Sequence, residues 1–158
     1  LGVDMGMYYR RLDYSKMVKG RHPIAAYEFL GPKLEGKDVI LIDDMISSGK
    51  SILEIASLLK KRGAGKIFIC TTFGLFTEGM EKFDEAYQNG IFDKLLTTNL
   101  VYQTPELLSK PYYITCDMSK YIALIIDTLN HDMSVSHLLN PADRIKRCVS
   151  NYMAQYEK

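Results

Sequence analysis

The sequence predicts an α/β fold, a doubly wound and mostly parallel sheet with flanking helices. Three observations carry the prediction. Strand and helix patterns alternate four times with short connections, the mark of right-handed strand–helix–strand crossovers. Two runs, Val39-Ile40-Leu41-Ile42 and Lys66 to Thr71, are apolar without alternation, as strands buried on both faces are. Between them Ile52, Ile55, Ala56, Leu58 and Leu59 share one helical face, the stripe a helix lays against a sheet.

In chain order, Leu1 to Tyr9 alternates apolar and small residues, as a strand does. Arg10 to Arg21 carries Arg10, Arg11, Lys16, Lys19 and Arg21 against the single acid Asp13, lacks a helical stripe, and reads as a basic loop. Residues 24–29 form a short strand broken by Gly31-Pro32. Gly36-Lys37-Asp38 turns into the strand Val39–Ile42. The helix Ser51–Arg62 ends in Lys60, Lys61 and Arg62, cations that suit a helix C-terminus, and Gly63 and Gly65 stop it. Lys66–Thr71 is the next strand, Glu78–Asn89 a helix stopped by Gly90, and Phe92–Thr98 a third strand. Pro105–Ser109 is one helical turn, Pro111 breaks it, and Tyr112–Cys116 is a fourth strand. Asp117–Leu129 is a helix with Asp117 near its N-cap. Residues 131–158 are a polar tail with a last helix from Pro141; a domain therefore runs over 1–138 and a helical extension over 139–158.

The chain has 158 residues, 47% hydrophobic and 25% charged, enough for one globular domain with a core. A net charge of +1 gives no reason to expect nucleic acid or an anionic membrane as partner. Cys70, Cys116 and Cys148 lack CxxC spacing and read as reduced thiols of a cytoplasmic protein. No apolar run approaches the roughly 20 residues of a membrane span. The chain opens on Leu1 rather than Met, as a fragment or processed chain would. His22, His131 and His137 have no partner at metal-ligand spacing and read as solvated or core residues, so no protein metal site is expected.

The chemistry concentrates in Asp43-Asp44-Met45-Ile46-Ser47-Ser48-Gly49-Lys50-Ser51. An apolar strand ends in two carboxylates, and a small Ser/Gly/Lys loop leads into a helix. In open α/β sheets ligands lie beyond the carboxyl ends of the strands. Backbone N–H groups and the helix dipole there suit a phosphate, and carboxylates suit hydroxyls or a cation. Gly49-Lys50-Ser51 imitates the end of a Walker A loop, but that loop needs a glycine where Asp44 stands. An acid in a triphosphate cradle would repel its ligand. The plainer alternative is that Asp43 and Asp44 only cap the helix; adjacent strand residues point to opposite faces, so one of them can be structural.

The motif and its flanks resemble the C-terminal half of a bacterial ribose-phosphate pyrophosphokinase, the phosphoribosyl pyrophosphate synthetase, of the type I phosphoribosyltransferase-like superfamily. The matching residues are Asp13-Tyr14-Ser15, Gly20-Arg21-His22-Pro23-Ile24, Tyr27-Glu28-Phe29-Leu30-Gly31, the loop from Asp43 to Ser51, and Thr71-Thr72-Phe73-Gly74-Leu75-Phe76-Thr77. The resemblance implies a type I phosphoribosyltransferase-like fold and transfer of diphosphate from ATP to ribose 5-phosphate with Mg²⁺. It implies that Asp43 and Asp44 hold the ribose hydroxyls, directly or through Mg²⁺, and that Ser47, Ser48, Gly49, Lys50 and Ser51 hold the 5-phosphate. Arg10 and Arg11 fall where the family keeps a mobile catalytic loop. It also implies a homo-oligomer in full-length form and an ATP-binding N-terminal half outside this chain, without which the fragment is inactive.

The chain departs from the family in two motifs. The basic loop usually reads Lys-Arg-Arg; here it is Arg10-Arg11-Leu12, or Tyr9-Arg10-Arg11 after a shift of one residue. The phosphate loop usually reads Asp-Thr-Gly-Gly-Thr; here Lys50 makes it more cationic. Two other readings follow: a non-catalytic or regulatory homologue of the synthetase, and a phosphoribosyltransferase, for which the chain shows no segment that would grip a base.

Overall fold

The structure is a computed structural model that describes residues 2–12, 15, 17 and 24–156. It opens on an antiparallel hairpin. Strand β1 (Met7–Leu12) pairs with β2 (Ile24–Leu30) from Met7↔Leu30 to Arg11↔Ala26, with an irregularity between Arg11 and Leu12. The expected first strand is thus displaced toward the C-terminus. Arg10, Arg11 and Leu12 belong to β1 and not to a loop, because their backbones find ladder partners in β2. The remainder of the expected basic loop, residues 13–21, lies almost entirely outside the described residues. The hairpin is fastened at its base: the Tyr8 and Phe29 rings lie 5.0 Å apart, and the Arg62 guanidinium stacks 5.2 Å above Phe29.

A four-stranded sheet follows in the order β3 (Val39–Ile46), β4 (Ile67–Gly74), β5 (Lys94–Thr98), β6 (Tyr113–Cys116). The β3–β4 and β4–β5 pairs are parallel, in the register Leu41↔Ile69↔Leu95 and Asp43↔Thr71↔Thr97. The expected α/β fold with its parallel sheet is the fold found. β3 runs past the expected Ile42 to Ile46, so both acids sit inside the strand.

Helix α1 (Lys50–Lys61) connects β3 to β4, and α2 (Glu81–Gln88) connects β4 to β5. The single turn α3 (Pro105–Leu108) precedes β6 and is capped by the Thr104 hydroxyl, which accepts from the Leu107 N–H. Ile52, Ala56 and Leu59 of α1 and Phe83 of α2 join Ile67, Ile69, Leu95, Phe92 and Tyr112 in one buried cluster. Val39 and Leu41 pack on its margin. The α2–β6 corner is pinned by Asp84, which accepts from the Tyr112 hydroxyl at 2.7 Å and from Lys110 Nζ at 2.7 Å. Burial works to raise the Asp84 carboxyl, but the bonds from Lys110 and Tyr112 and the Lys110 charge outweigh it and hold it below its ordinary range. Burial, followed by the Asp84 hydrogen bond, drives the Tyr112 hydroxyl well above its ordinary value.

Two compact units divide the chain, Leu1–Thr115 and Cys116–Lys158. The second holds α4 (Ser119–Asn130), the turn α5 (Ser136–Leu139) and α6 (Ala142–Tyr156). Within it, the Tyr121 hydroxyl donates to the Leu138 carbonyl at 2.9 Å, and Arg144 stacks 5.3 Å above the Tyr121 ring. The helix expected from Pro141 is α6, and it has no buried residue.

Candidate functional site

The site is built where β3 becomes α1. Asp43 and Asp44 are both exposed near the carboxyl end of the strand. Being consecutive, they face opposite sides of the sheet. Asp43 shares the α1 side with Thr71 and Thr97 through its register, and its Oδ1 accepts the Asp44 N–H at 2.9 Å. That bond holds the Asp43 carboxylate close to the strand through one of its two oxygens.

The chain turns into the helix at Gly49, which has φ +79° and serves as N-cap of α1 without any side-chain cap. The left-handed conformation favours glycine, and so does the space. A Cβ on Gly49 would collide with the Phe83 ring. Phe83 of α2 is fully buried directly beneath the loop. The first turn of α1 carries no acid, so its first N–H groups and its positive dipole end face the loop without a carboxylate of their own to neutralise them. Lys50 is exposed at the same end and adds a cation; Ser48 and Ser51 are half-buried and Ser47 is exposed.

The loop is held from the side by the segment after β4. Leu75 N–H donates to Ile46 C=O at 2.8 Å, and Thr77 N–H donates to Ser47 C=O at 3.0 Å. The Ser47 and Thr77 hydroxyls lie 3.4 Å apart. Phe76 takes a left-handed φ of +46°, unusual for an aromatic residue, and sets its ring edge-on to Phe83 at 5.3 Å. Sequence reasoning found Asp43 to Ser51 but not Phe83, Phe76 and Thr77 as their support. The signal for Phe83 was its place with Ala86 and Tyr87 on one face of α2; its contact with Gly49 is a property of the folded chain alone.

At the neighbouring strand ends a polar chain closes off the sheet. The Thr97 and Tyr113 hydroxyls lie 2.5 Å apart, Gln103 Nε2 donates to Tyr113 Oη at 2.6 Å, and Thr115 donates to Gln103 Oε1 at 3.1 Å. Thr71, in the row between Asp43 and Thr97, keeps a buried hydroxyl with no hydrogen-bond partner.

The structure therefore gathers Asp43, Asp44, Ser47, Ser48, Gly49, Lys50 and Ser51 in one continuous stretch. Arg10 and Arg11 lie in β1 of the same compact unit, and their side chains lie outside the described residues. No group of three or more His, Cys, Asp or Glu suited to a metal occurs among the described residues. Among them, too, no helix is long and apolar enough to cross a membrane.

An acid-tipped parallel strand with a glycine-turned, carboxylate-free helix start defines an α/β protein whose loop at the strand's carboxyl end has the chemistry that suits an anion. Comparison with known proteins gives the particular family. The chain belongs to the phosphoribosyl synthetase-associated domain family, whose profile matches residues 15–140. It is 26% identical over 107 residues to a ribose-phosphate pyrophosphokinase of Vibrio parahaemolyticus, covering 68% of this chain and 33% of that protein. It is 36% identical over 93 residues to a ribose-phosphate pyrophosphokinase of Thermococcus kodakarensis, covering 57% and 31%. Its fold is similar to the crystal structure of phosphoribosylpyrophosphate synthetase from Mycobacterium smegmatis, with TM-score 0.60 and 21% identity over 70% of this chain and 35% of that one. The chain thus spans about a third of the length of the curated relatives it matches.

Proposed function

We propose that this chain is the ribose 5-phosphate-binding part of a ribose-phosphate pyrophosphokinase. The complete enzyme would transfer the β,γ-diphosphoryl group of ATP to the 1-hydroxyl of ribose 5-phosphate. A bond forms between the sugar oxygen and Pβ, the bond from Pβ to the α-phosphate oxygen breaks, and AMP leaves. One observation carries the reading: Gly49 starts a helix whose first turn holds no acid and no side-chain cap, beside two exposed carboxylates. The loop amides, the serine hydroxyls and Lys50 bind and orient the 5-phosphate. Asp43 and Asp44 accept from the ribose hydroxyls. Arg10 and Arg11 act as the catalytic cations that offset charge developing on the transferred group.

Mg²⁺ fits this arrangement in one way. With no three-ligand cluster among the described residues, the ion must be completed by ligand oxygens, and magnesium is commonly held by one or two carboxylates plus substrate phosphates. Asp43 and Asp44 are the carboxylates available for it, and the ion would supply charge neutralisation at the phosphates. The complete enzyme would be a cytoplasmic homo-oligomer.

Isothermal titration of the folded chain with ribose 5-phosphate tests the reading. Saturable binding that weakens at least about tenfold in Asp44→Ala, roughly the loss of one charge-assisted hydrogen bond, is the expected result. No binding by the unaltered protein overturns it.

A specific observation favours a second reading, that of a non-catalytic or regulatory homologue. Where the family keeps a mobile Lys-Arg-Arg loop, this chain has Arg10-Arg11-Leu12 within the β1 ladder. An assay of AMP release by the full-length protein separates the two, since sustained turnover excludes the regulator.

A further inference from the structure

Helix α6 begins beyond residue 140, where the family profile ends, so family membership assigns it no role. Its start is fixed locally. Asn140 Oδ1 accepts the Ala142 N–H at 3.1 Å, and Ile145 N–H donates to Pro141 C=O at 2.9 Å. No residue of α6 is buried. Ile145, Val149, Tyr152, Met153 and Tyr156 are between 42% and 69% exposed, and Cys148 is exposed beside them. At about 100° per residue these six lie within an arc of roughly 140°. The Tyr152 and Tyr156 rings lie 4.5 Å apart along it. Arg144, which holds α6 to its own unit by stacking on Tyr121, lies outside that arc. An amphipathic helix with its apolar stripe in solvent is a surface for a partner.

The stripe maps onto itself when reversed. Paired about the midpoint between Ser150 and Asn151, Ile145 falls against Tyr156, Cys148 against Met153 and Val149 against Tyr152. An isologous two-fold contact requires this, because residue i meets j and j meets i; an unrelated partner does not. Charge selects the same pairing. Residues 143–147 hold Arg144, Lys146 and Arg147 against Asp143, and residues 148–156 hold no charge. Parallel helices would set these cations against their own copies. Antiparallel helices set them beside the uncharged half, at the negative end of the helix dipole. In the sequence the same reversal sets Asp143 against Lys158 and Arg144 against Glu157. A membrane-surface helix would instead carry cations along its whole polar face, and here they stop at Arg147 within α6.

We propose that α6 is a dimerisation helix, pairing antiparallel with α6 of a second copy of this chain through the Ile145–Tyr156 stripe. α6 and the Asp43–Ser51 loop belong to different compact units. The test contains no sugar phosphate, so this proposal and the ribose 5-phosphate reading fail separately.

The test uses the intact 158-residue chain. Sedimentation equilibrium is expected to give twice the 18.0 kDa chain mass at about 0.2 mM, where an interface below the usual ~1,600 Å² is still occupied. Val149→Asp and Tyr152→Asp are each expected to weaken the dimer at least tenfold, with circular dichroism unchanged. Asn151→Asp, on another face of the helix, is expected to dimerise normally. Orientation is read by disulfides in Cys116→Ser protein. With Met153→Cys added, mild oxidation is expected to link Cys148 of one copy to position 153 of the other, as mapped by mass spectrometry. Cys148 alone is expected not to cross-link, since antiparallel pairing sets its two copies about 7.5 Å apart along the axis. A monomer at the same concentration overturns the proposal, as does a dimer that Val149→Asp leaves unweakened. A Cys148–Cys148 disulfide overturns it by showing the helices to be parallel. A monomer that co-sediments with phosphatidylserine vesicles, and fails to in Val149→Asp, overturns it by showing the stripe to be a membrane contact.

Discussion

The loop after β3 and the β1–β2 hairpin are built by opposite means. The loop owes its form to backbone: a left-handed Gly49, a helix start, two amide bonds from the segment after β4, and a buried Phe83 that excludes any larger residue. The hairpin is a two-stranded ribbon, a structure of marginal stability by itself, fastened to the rest by Tyr8, Phe29 and Arg62. A phosphate needs fixed amides, and fixed amides need a core beneath them. Cations that act on a transferred group need reach, which a ribbon supplies. The difference teaches that, under the proposed function, binding and catalysis rest on separate parts of the chain, and mutations should separate them.

The largest effect is expected from Phe83→Ala. Phe83 is fully buried against Gly49, Phe76 and Phe92; its loss costs roughly 3–5 kcal/mol of stability, and ribose 5-phosphate binding falls with it. Urea unfolding followed by circular dichroism measures the first, titration calorimetry the second. If stability falls while binding persists, the loop does not depend on the core.

Gly49→Ala comes next. A left-handed helical conformation costs a non-glycine residue roughly 1–2 kcal/mol, and the added Cβ also meets the Phe83 ring. Binding is expected to weaken at least tenfold, with a smaller loss of stability than in Phe83→Ala.

Asp84→Ala tests the frame under the loop without touching the site. It strands the buried Tyr112 hydroxyl, at about 1–3 kcal/mol, and takes from Lys110 its Asp84 partner. The pH dependence has a definite sign. Asp84 titrates low in the folded protein, so its contribution is complete above the ordinary aspartate range near pH 4 and is lost as pH falls through the lowered folded value. Lys110 is raised, chiefly by its Asp84 hydrogen bond, so its contribution holds below about pH 10 and is lost as pH rises through the folded value. The stability difference between unaltered protein and variant should therefore be widest between about pH 4 and pH 10. A difference that stays constant into acid would remove Asp84 as the source.

The smallest effect on stability belongs to the hairpin cations. Arg10→Ala with Arg11→Ala is expected to leave the melting temperature within a few degrees and the ribose 5-phosphate affinity within about twofold, a change of about 0.5 kcal/mol or less. In the full-length protein the same pair should reduce AMP release at least a hundredfold, the range of a lost electrostatic stabiliser. Equal losses of binding and turnover would instead put Arg10 and Arg11 in the phosphate site.

Much of this was legible in residue order. The runs Val39–Ile42 and Ile67–Cys70 are apolar throughout, which marks them as strands of a parallel sheet and predicts burial on both faces; the strands are found, but Ile40 and Ile42 are exposed among the described residues. Gly63 and Gly90 mark the ends of α1 and α2 because glycine takes the left-handed turn at low cost; their φ values are +85° and +67°. Arg10 to Leu12 was misread as loop, since strand pairing with Ile24–Tyr27 lies across a gap in sequence that local pattern does not bridge. β3 was cut short at Ile42 because two acids look like a strand's end, whereas ladder bonds to Thr71 and Phe73 carry it onward.

The sequence by itself determined the alternation of elements, the acid-tipped strand and the glycine that turns it into a helix, because periodicity and turn chemistry are local properties of the chain. Only the tertiary structure decided that Phe83 fixes Gly49, that Thr77 holds Ser47, and that Ile40 and Ile42 face outward. Those contacts join residues far apart in the chain, and which face of a strand is covered depends on the direction of its crossovers, something no local pattern records.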